Sequence, residues 1–137
     1  MTGPHRSTIT PRWYELDPYR HVNHAVYVQY FEVARIEMLE AIGFGIDKMA
    51  DDGTTIVVTE IRTRFVAPAM LGDQLVVESE VAEIRRASTV WHQRILRDGQ
   101  LIASQEVTAA ALGENGRPVR ITPEFRAAIE QFAVERN

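Results

Sequence analysis

In the middle of the chain, the spacing of apolar side chains changes near Gly53. Before that point apolar residues recur every three or four positions, which is the period of a helix with one buried face. Asn23 is suited to cap the start of such a helix and Gly43 to end it. The pattern therefore predicts a helix over about residues 24–42, roughly 28 Å long. Its apolar side carries Tyr27, Tyr30, Phe31, Ala34, Met38 and Ala41, and its polar side carries Gln29, Glu32, Glu37 and Glu40.

Beyond Gly53 the chain is rich in β-branched residues, and apolar and polar positions alternate as in strands with one buried face. Leu75, Val77 and Val81, for example, fall on the same side of one such segment. The dipeptide Asp98-Gly99 is a strong hairpin signal between two of the segments. The predicted strands cover residues 54–66, 74–86, 89–97 and 100–112.

Shorter elements are predicted toward the ends of the chain. Residues 8–16 predict a strand, in which Pro11 favours an edge position or a late start. Residues 17–20 predict a turn, and residues 44–53 predict at most one more turn of helix. Pro123 opens a short amphipathic helix that carries Phe125, Ile129 and Phe132.

The order of these elements is strand, long helix, four strands and short helix. That order predicts an α+β fold in which an antiparallel sheet wraps around one central helix. The remaining helical segments are too few to cover the other face and the edges of the sheet. We therefore expect the chain to self-associate.

Composition narrows the class of protein without changing this fold. The 137 residues match one domain, 1–137, and the apolar fraction of 45% is that of an ordinary globular protein. There is no cysteine, which excludes disulfides, iron–sulfur clusters and a thiol nucleophile. A net charge of −4 argues against nucleic acid as a partner, and the apolar runs are too short to span a membrane. We expect a cytoplasmic protein.

Candidate chemistry is concentrated at the start of the predicted long helix. Asp17 places a carboxylate on a turn just before the helix, where unpaired backbone N–H groups face outward. His21 and His24 lie beside it, and Arg35 lies three helical turns further on. Each has a plainer interpretation, because Asp-Pro is a common turn starter and Arg35 could pair with Glu32 or a neighbouring carboxylate.

Other kinds of site find less support in the sequence. His21 and His24 could suggest a metal, but no third ligand stands at a typical spacing. A site of the two histidines plus Asp17 is geometrically conceivable. There is no glycine-rich phosphate loop, no nucleophile elbow and no metalloprotease helix. We therefore predict no metal and no cofactor.

Two segments resemble the hotdog-fold acyl-CoA thioesterases of the 4-hydroxybenzoyl-CoA thioesterase-like family. The first holds Asp17, Val22-Asn23-His24, Tyr27, Tyr30-Phe31-Glu32 and Ala34-Arg35, and the second is Phe65-Val-Ala-Pro68-Ala-Met-Leu-Gly72-Asp73. The resemblance implies a five-stranded antiparallel sheet around one long helix. It also implies homodimers that often pair again into tetramers, with the active site at the dimer interface.

In that family a carboxylate on the turn is catalytic, and this position falls on Asp17. A backbone N–H at the helix start polarises the thioester carbonyl, and this position falls on His24. The resemblance thus implies hydrolysis of an aliphatic or aromatic acyl thioester, carried by coenzyme A or acyl carrier protein. Asp17 would act either as nucleophile or as general base.

Further substrate contacts are expected at Tyr27 and Arg35 and in the connection that holds Arg85, Arg86 and Ser88. Guanidinium groups suit the phosphates of coenzyme A. The plainer interpretation is that two arginines at a hairpin end are only solvated or protect an edge strand.

The chain departs from the family at Arg20, where many relatives have a glycine. If that position requires a positive φ, Arg20 is strained or the turn differs. A related subgroup instead uses a glutamate on the long helix, for which Glu32, Glu37 or Glu40 would have to serve. Two other functions stay open: a hotdog enoyl-CoA hydratase or dehydratase, and a hotdog domain that binds acyl-CoA or acyl carrier protein without catalysis.

Overall fold

The long helix begins and ends close to the predicted positions in the structure, a computed structural model that describes residues 3–134. Helix α1 spans His24–Ala41, Asn23 caps its first turn, and Gly43 follows with a φ of +83°. Ala41, predicted to be buried, is exposed because it is the last residue of the helix. The residues that α1 buries are Tyr27, Tyr30, Phe31, Ala34 and Met38.

The four strands predicted beyond Gly53 are also confirmed, with bounds that differ by at most two residues. Asp98 and Gly99 have φ values of +50° and +81°, as a two-residue hairpin turn requires. The strands are β1 His5–Ile9, β2 Thr55–Phe65, β3 Leu75–Ile84, β4 Ser88–Arg97 and β5 Gln100–Leu112, and the short helices are α2 Ile46–Asp51 and α3 Pro123–Glu130.

The predicted strand over residues 8–16 is wrong. Strand β1 ends at Ile9, and Trp13–Glu15 forms a 3₁₀ helix instead. Pro11 explains the difference, because it has no N–H to continue the pairing of β1 with β3. Trp13 is 75% exposed, so its apolar character does not mark a buried strand.

All five strands form one antiparallel sheet in the order β1-β3-β4-β5-β2. Helix α1 packs on this sheet against β1 and β3. The N-terminal half of α1 shares a core cluster with Leu75 and Ile95, and its C-terminal half shares one with Trp91 and Phe125. The α+β prediction of a sheet wrapped around one long helix is therefore confirmed.

Strand β2 lies at the sheet edge beyond the cover of α1. Three of its apolar side chains, Val58, Ile61 and Phe65, are 42–50% exposed. They leave an apolar groove between α1 and β2, which we call the α1–β2 groove. Among residues 3–134, no helix is both long enough and apolar enough to cross a membrane.

Candidate active site

Asp17 lies in a tight turn closed by the pairing of Leu16 with Val22. Its Oδ1 atom accepts hydrogen bonds from the backbone N–H groups of Tyr19, at 2.9 Å, and His21, at 3.1 Å. Its Oδ2 atom accepts no hydrogen bond within residues 3–134. One carboxylate oxygen therefore holds the turn together, and the other is left for a substrate or a water molecule.

Arg20 adopts a φ of +65° in this turn. For a residue other than glycine, that left-handed conformation is higher in free energy by roughly 1–2 kcal/mol. The strain that the departure from the family's glycine suggested is therefore present. The turn keeps its shape around Asp17, because the N–H of Arg20 donates to the carbonyl oxygen of Asp17 at 3.0 Å.

Among residues 3–134, the first turn of α1 leaves the N–H of His24 without an acceptor. The side chain of Asn23 accepts a hydrogen bond from the N–H of Ala25 at 3.0 Å, and its carbonyl accepts one from Val26 at 2.9 Å. The N–H of His24 donates to no acceptor in the part of the chain that the structure describes. This group, together with the positive end of the helix dipole, can stabilise a developing oxyanion.

The loop after β2 ties the Asp17 turn to the helix. The N–H of Val22 donates to the carbonyl oxygen of Ala69 at 2.8 Å, and the N–H of Ala69 donates to the hydroxyl of Tyr27 at 2.9 Å. Tyr27 is buried, and burial raises the pKa of its hydroxyl. The Phe65 ring packs edge-on against the rings of Tyr27 and His24, with centroids 5.5 and 6.3 Å apart.

The same loop is closed by Asp73, whose Oδ2 accepts from the N–H of Met70 at 2.8 Å and from Arg97 at 2.7 Å. Burial opposes the charged form of Asp73, but these two donors outweigh it and hold its pKa below the ordinary value. Arg97 also donates to the carbonyl oxygen of Pro68 at 3.0 Å. The second segment that resembles the thioesterases is therefore tied by hydrogen bonds to Val22 and Tyr27, next to Asp17 and His24 in the chain.

A second set of hydrogen bonds, centred on Glu15, holds the segment before Asp17 against α1, and the sequence did not predict it. The hydroxyl of Tyr30 donates to Glu15 at 2.8 Å, and the backbone N–H of Arg12 donates to the same carboxylate oxygen at 2.7 Å. Burial, and then the Glu15 carboxylate, raise the pKa of Tyr30 well above its usual value. The carbonyl of Glu15 also accepts from the N–H of Asn23 at 2.9 Å. No motif marks Glu15, because its role depends on the position of a residue fifteen places away.

Arg35 pairs with neither Glu32 nor Glu37. Its Nη1 atom donates to the side-chain oxygens of Gln93 and Gln105, both at 2.8 Å. Burial lowers the pKa of this guanidinium, and Glu32 opposes that shift. Arg35 also lines a cavity of about 450 Å³ at the far end of the α1–β2 groove.

Arg85 and Arg86 lie in the turn between β3 and β4, and Ser88 begins β4. Arg85 pairs with Glu83 at 3.0 Å. The two arginines line a cavity of about 550 Å³ with Arg120 and Arg126, which the sequence did not single out. We call these four residues the arginine cluster.

The arginine cluster is remote from Asp17 within one chain. Asp17 lies near the start of β3 and the cluster near its end, and the ten residues between span about 30 Å. The structure therefore brings together Asp17, His24 and Tyr27, but not Arg85, Arg86 or Ser88. Among residues 3–134, no three His, Asp or Glu side chains are placed to hold a metal ion.

The chain is similar in sequence to known thioesterases. The family model described as "thioesterase-like superfamily" matches residues 11–129. The acyl-acyl carrier protein thioesterase ATL3 of Arabidopsis thaliana is 31% identical over 134 residues, which are 96% of this chain and 70% of that protein. The long-chain acyl-CoA thioesterase FadM of Escherichia coli is 29% identical over 130 residues, 93% of this chain and 98% of that protein.

Solved structures agree with the fold. A thioesterase from Thermus thermophilus, complexed with coenzyme A and Zn, superposes with a TM-score of 0.81 at 28% identity and covers 93% of this chain and 92% of that chain. A hypothetical protein from Aquifex aeolicus superposes with a TM-score of 0.88 at 25% identity, covering 92% of this chain and 99% of that one.

Proposed function

Because the chain belongs to the thioesterase-like superfamily, we propose that it hydrolyses an acyl thioester of coenzyme A or acyl carrier protein, with Asp17 as the reacting group. Its relatives are thioesterases, and the chain is a thioester hydrolase. The observation that supports the assignment of the site is that, among residues 3–134, Asp17 keeps a free Oδ2 in the turn before α1 and His24 keeps an unpaired N–H at the start of α1. These two groups supply what the reaction needs, an attacking or activating oxygen and a donor for the oxyanion.

In the general-base route, Oδ2 of Asp17 takes a proton from water, and the water oxygen attacks the thioester carbonyl. The carbonyl oxygen becomes an oxyanion that accepts a hydrogen bond from His24 N–H. Collapse of this intermediate breaks the carbon–sulfur bond, and the proton passes to the departing thiolate. In the nucleophilic route, Oδ2 itself attacks the carbonyl carbon, the carbon–sulfur bond breaks and the thiolate leaves. Water then hydrolyses the resulting mixed anhydride to the free acid and the regenerated Asp17 carboxylate. Both routes use the same oxygen, since Oδ1 is engaged by two backbone donors.

The acyl group is proposed to lie in the α1–β2 groove, which begins beside His24 and Phe65. Tyr27 would shape its start by packing on Phe65, and Arg35 would line its far part. The exposed apolar side chains of β2 favour an acyl chain or an aromatic acyl group over a polar one at most positions of this groove.

The arginine cluster and Ser88 are proposed to bind the nucleotide of coenzyme A for the partner subunit. A coenzyme A with its thioester at Asp17 would have to span the molecule to reach the cluster of the same chain. If two copies pair antiparallel through the edge strand β2, the Phe65 end of one strand meets the Thr55 end of the other. Ser88 and the arginine cluster lie toward the Thr55 end of β2. Thr55 pairs with Leu112 and Ser88 pairs with Ala110, two residues away on the same strand β5.

In this arrangement the homodimer is the smallest active species. We also predict that two dimers pair into a tetramer. The location in the cytoplasm also stays a prediction. Light scattering of the purified protein would measure the oligomeric state directly.

A substrate panel tests the function as a whole. Purified protein should release free thiol from acyl thioesters, and varying acyl length, aromatic acyl groups and both carriers would identify the substrate. An enoyl-CoA should show no addition of water under the same conditions. Hydration of enoyl-CoA without thiol release would identify a hydratase, and tight acyl-CoA binding without either reaction would identify a binding domain.

A further inference from the structure

Arg35 is a cation on the α1 side of the α1–β2 groove, whose β2 side carries mainly apolar side chains. Its Nη1 atom is engaged by Gln93 and Gln105. A guanidinium has five N–H groups, and the three on Nη2 and Nε donate to no acceptor within residues 3–134. No carboxylate of that part of the chain forms an ion pair with Arg35. The residue therefore keeps both a charge and donors for a ligand.

Two buried glutamines hold this guanidinium in place. The side-chain nitrogen of Gln93 donates to the carbonyl of Phe31 at 2.9 Å and to the hydroxyl of Ser79 at 3.0 Å. The side-chain nitrogen of Gln105 donates to the hydroxyl of Thr63 at 2.8 Å. Since Gln93 and Gln105 are 1% and 3% exposed, their oxygens have a fixed direction and so does Nη1. Such pre-orientation reduces the entropy lost when a ligand binds.

The position of Arg35 relates it to the reacting groups. His24 and Arg35 are eleven residues apart, which places them on one face of α1, about 20° apart around the axis and about 16 Å along it. The side chain of a helical residue tilts toward the helix start and shortens that distance. On β2, Thr63 lies two residues from Phe65, whose ring contacts that of His24. An acyl chain leaving the oxyanion donor along the groove would therefore pass Arg35.

We propose that Arg35 selects acyl groups that carry an oxygen acceptor along the chain, such as a hydroxyl or oxo group, over plain hydrocarbon chains of the same length. This inference rests on the proposed thioester hydrolysis. A plain chain would cover the guanidinium and remove water from it without replacing the lost hydrogen bonds, which is unfavourable. An oxygen on the chain would accept from Nη2 or Nε instead.

Glu32 decides which acceptor fits best. It lines the same cavity as Arg35, one helical turn before it, and is exposed. Its negative charge disfavours a carboxylate on the acyl group, so a neutral hydroxyl or oxo oxygen is expected to bind better than a carboxylate at the same position.

The test uses pairs of acyl-CoA substrates that differ only by one oxygen. Chains of about 8 to 16 carbons match the groove at a carbon–carbon bond length of about 1.5 Å, and the oxygen is placed at successive carbons. The wild-type protein should hydrolyse one positional isomer with a kcat/KM about 10- to 100-fold above that of the plain chain, the range of a hydrogen bond to a charged group. The carboxylate analogue at that position should be poorer than the hydroxyl or oxo form.

Variants assign the preference to Arg35. Arg35→Gln should abolish it while the plain chain is still hydrolysed, and Arg35→Lys should retain a part of it. Arg117→Gln is the matched control, because Arg117 is exposed in the loop after β5 and is not among the residues that line the cavity beside Arg35. Hydrolysis of the plain chain by each variant also shows that its site has folded.

Equal rates of the wild-type protein on both members of every pair would overturn the inference, whether or not the variants fold. So would an Arg35→Gln variant that slows all substrates equally, since Arg35 would then only position α1. If the wild-type protein hydrolyses no thioester, the proposed function fails, and calorimetry with the free acids decides this inference separately. An Arg35-dependent preference for the oxygenated acid would uphold the selectivity proposed for Arg35. Equal affinities for the oxygenated and the plain acid would overturn it.

Discussion

The Oδ1 atom of Asp17 accepts a hydrogen bond from the backbone N–H of His21 at 3.1 Å. The same oxygen also accepts from the backbone N–H of Tyr19, so Oδ1 stabilises the turn on which the Asp17 carboxylate lies. Oδ1 therefore stabilises the turn, and Oδ2 is the oxygen proposed to react. Substitutions of Asp17 can separate the effect on stability from the effect on turnover.

Asp17→Asn should keep the turn and lose the reaction. The amide oxygen of asparagine can accept the same two hydrogen bonds, but the side chain can neither attack nor take a proton. We expect turnover to fall by about 10²–10⁴, the range of a lost general base, with the thermal midpoint close to that of the wild-type protein. Asp17→Ala should lose turnover and stability together. Near-normal turnover in either variant would remove Asp17 from the mechanism.

His24→Pro deletes the proposed oxyanion donor with little damage to the helix. His24 is the first residue of α1, a position at which proline is favoured, and Asn23 has the extended conformation (φ −58°, ψ 136°) that precedes proline. The variant should fold and lose about 10²–10³ in kcat. His24→Ala, which keeps the N–H, is the control and should lose far less. Full activity of a folded His24→Pro variant would exclude this donor.

The arginine cluster should act across the dimer. Replacing Arg85, Arg86 and Arg120 by alanine should raise KM for acyl-CoA with little change in kcat, and weaken the dependence of KM on salt. A thioester that lacks the nucleotide should be unaffected. If it is weakened equally, the cluster has a structural role.

Mixed dimers decide which chain supplies the cluster. One subunit carries Asp17→Asn and the other carries the three alanine substitutions, and each parent dimer is measured alone. If the cluster serves the partner, the mixed dimer combines an intact Asp17 with an intact cluster and regains a low KM at half of its sites. A KM as high as that of the alanine parent would show that each chain uses its own arginines.

Arg20→Gly should stabilise the protein, because the φ of +65° at this position is strained for arginine and not for glycine. Glycine also gains freedom in the unfolded chain, so the net gain should be about 0.5–1 kcal/mol, a rise of a few degrees in Tm. Arg20→Ala retains the strain and serves as the control. Equal Tm values for the glycine and alanine variants would show that backbone strain is not the cause.

The Tyr30–Glu15 hydrogen bond should make stability fall in alkaline solution. Burial and the Glu15 carboxylate raise the pKa of Tyr30 in the folded protein, whereas the unfolded chain releases this proton near pH 10. The stabilisation is therefore complete below about pH 10 and declines above it, by at most about 1.4 kcal/mol per pH unit for this group. Urea unfolding at several pH values measures the decline. It should be shallower in Tyr30→Phe, and an unchanged slope would contradict the assignment.

The central part of the fold was predictable because local signals agree with one another. The helical period, the Asn23 cap and the Gly43 stop all place α1 within one residue of its observed bounds. Asp98-Gly99 predicts its hairpin for a similar reason, since few residue pairs adopt two positive φ values in succession. The 3₁₀ helix at Trp13–Glu15 was missed, because exposed aromatic residues have the composition of a buried strand.

The sequence by itself determined which residues stand at the junction of turn and helix, since Asp17 and His24 are seven residues apart and local geometry governs both. The tertiary structure alone decided what is remote in sequence: that β2 pairs with β5 at the sheet edge, that Gln93 and Gln105 hold Arg35, and that the arginine cluster lies far from the Asp17 of its own chain. Such relations depend on the strand order and on burial of the core as a whole, which no short window of sequence contains.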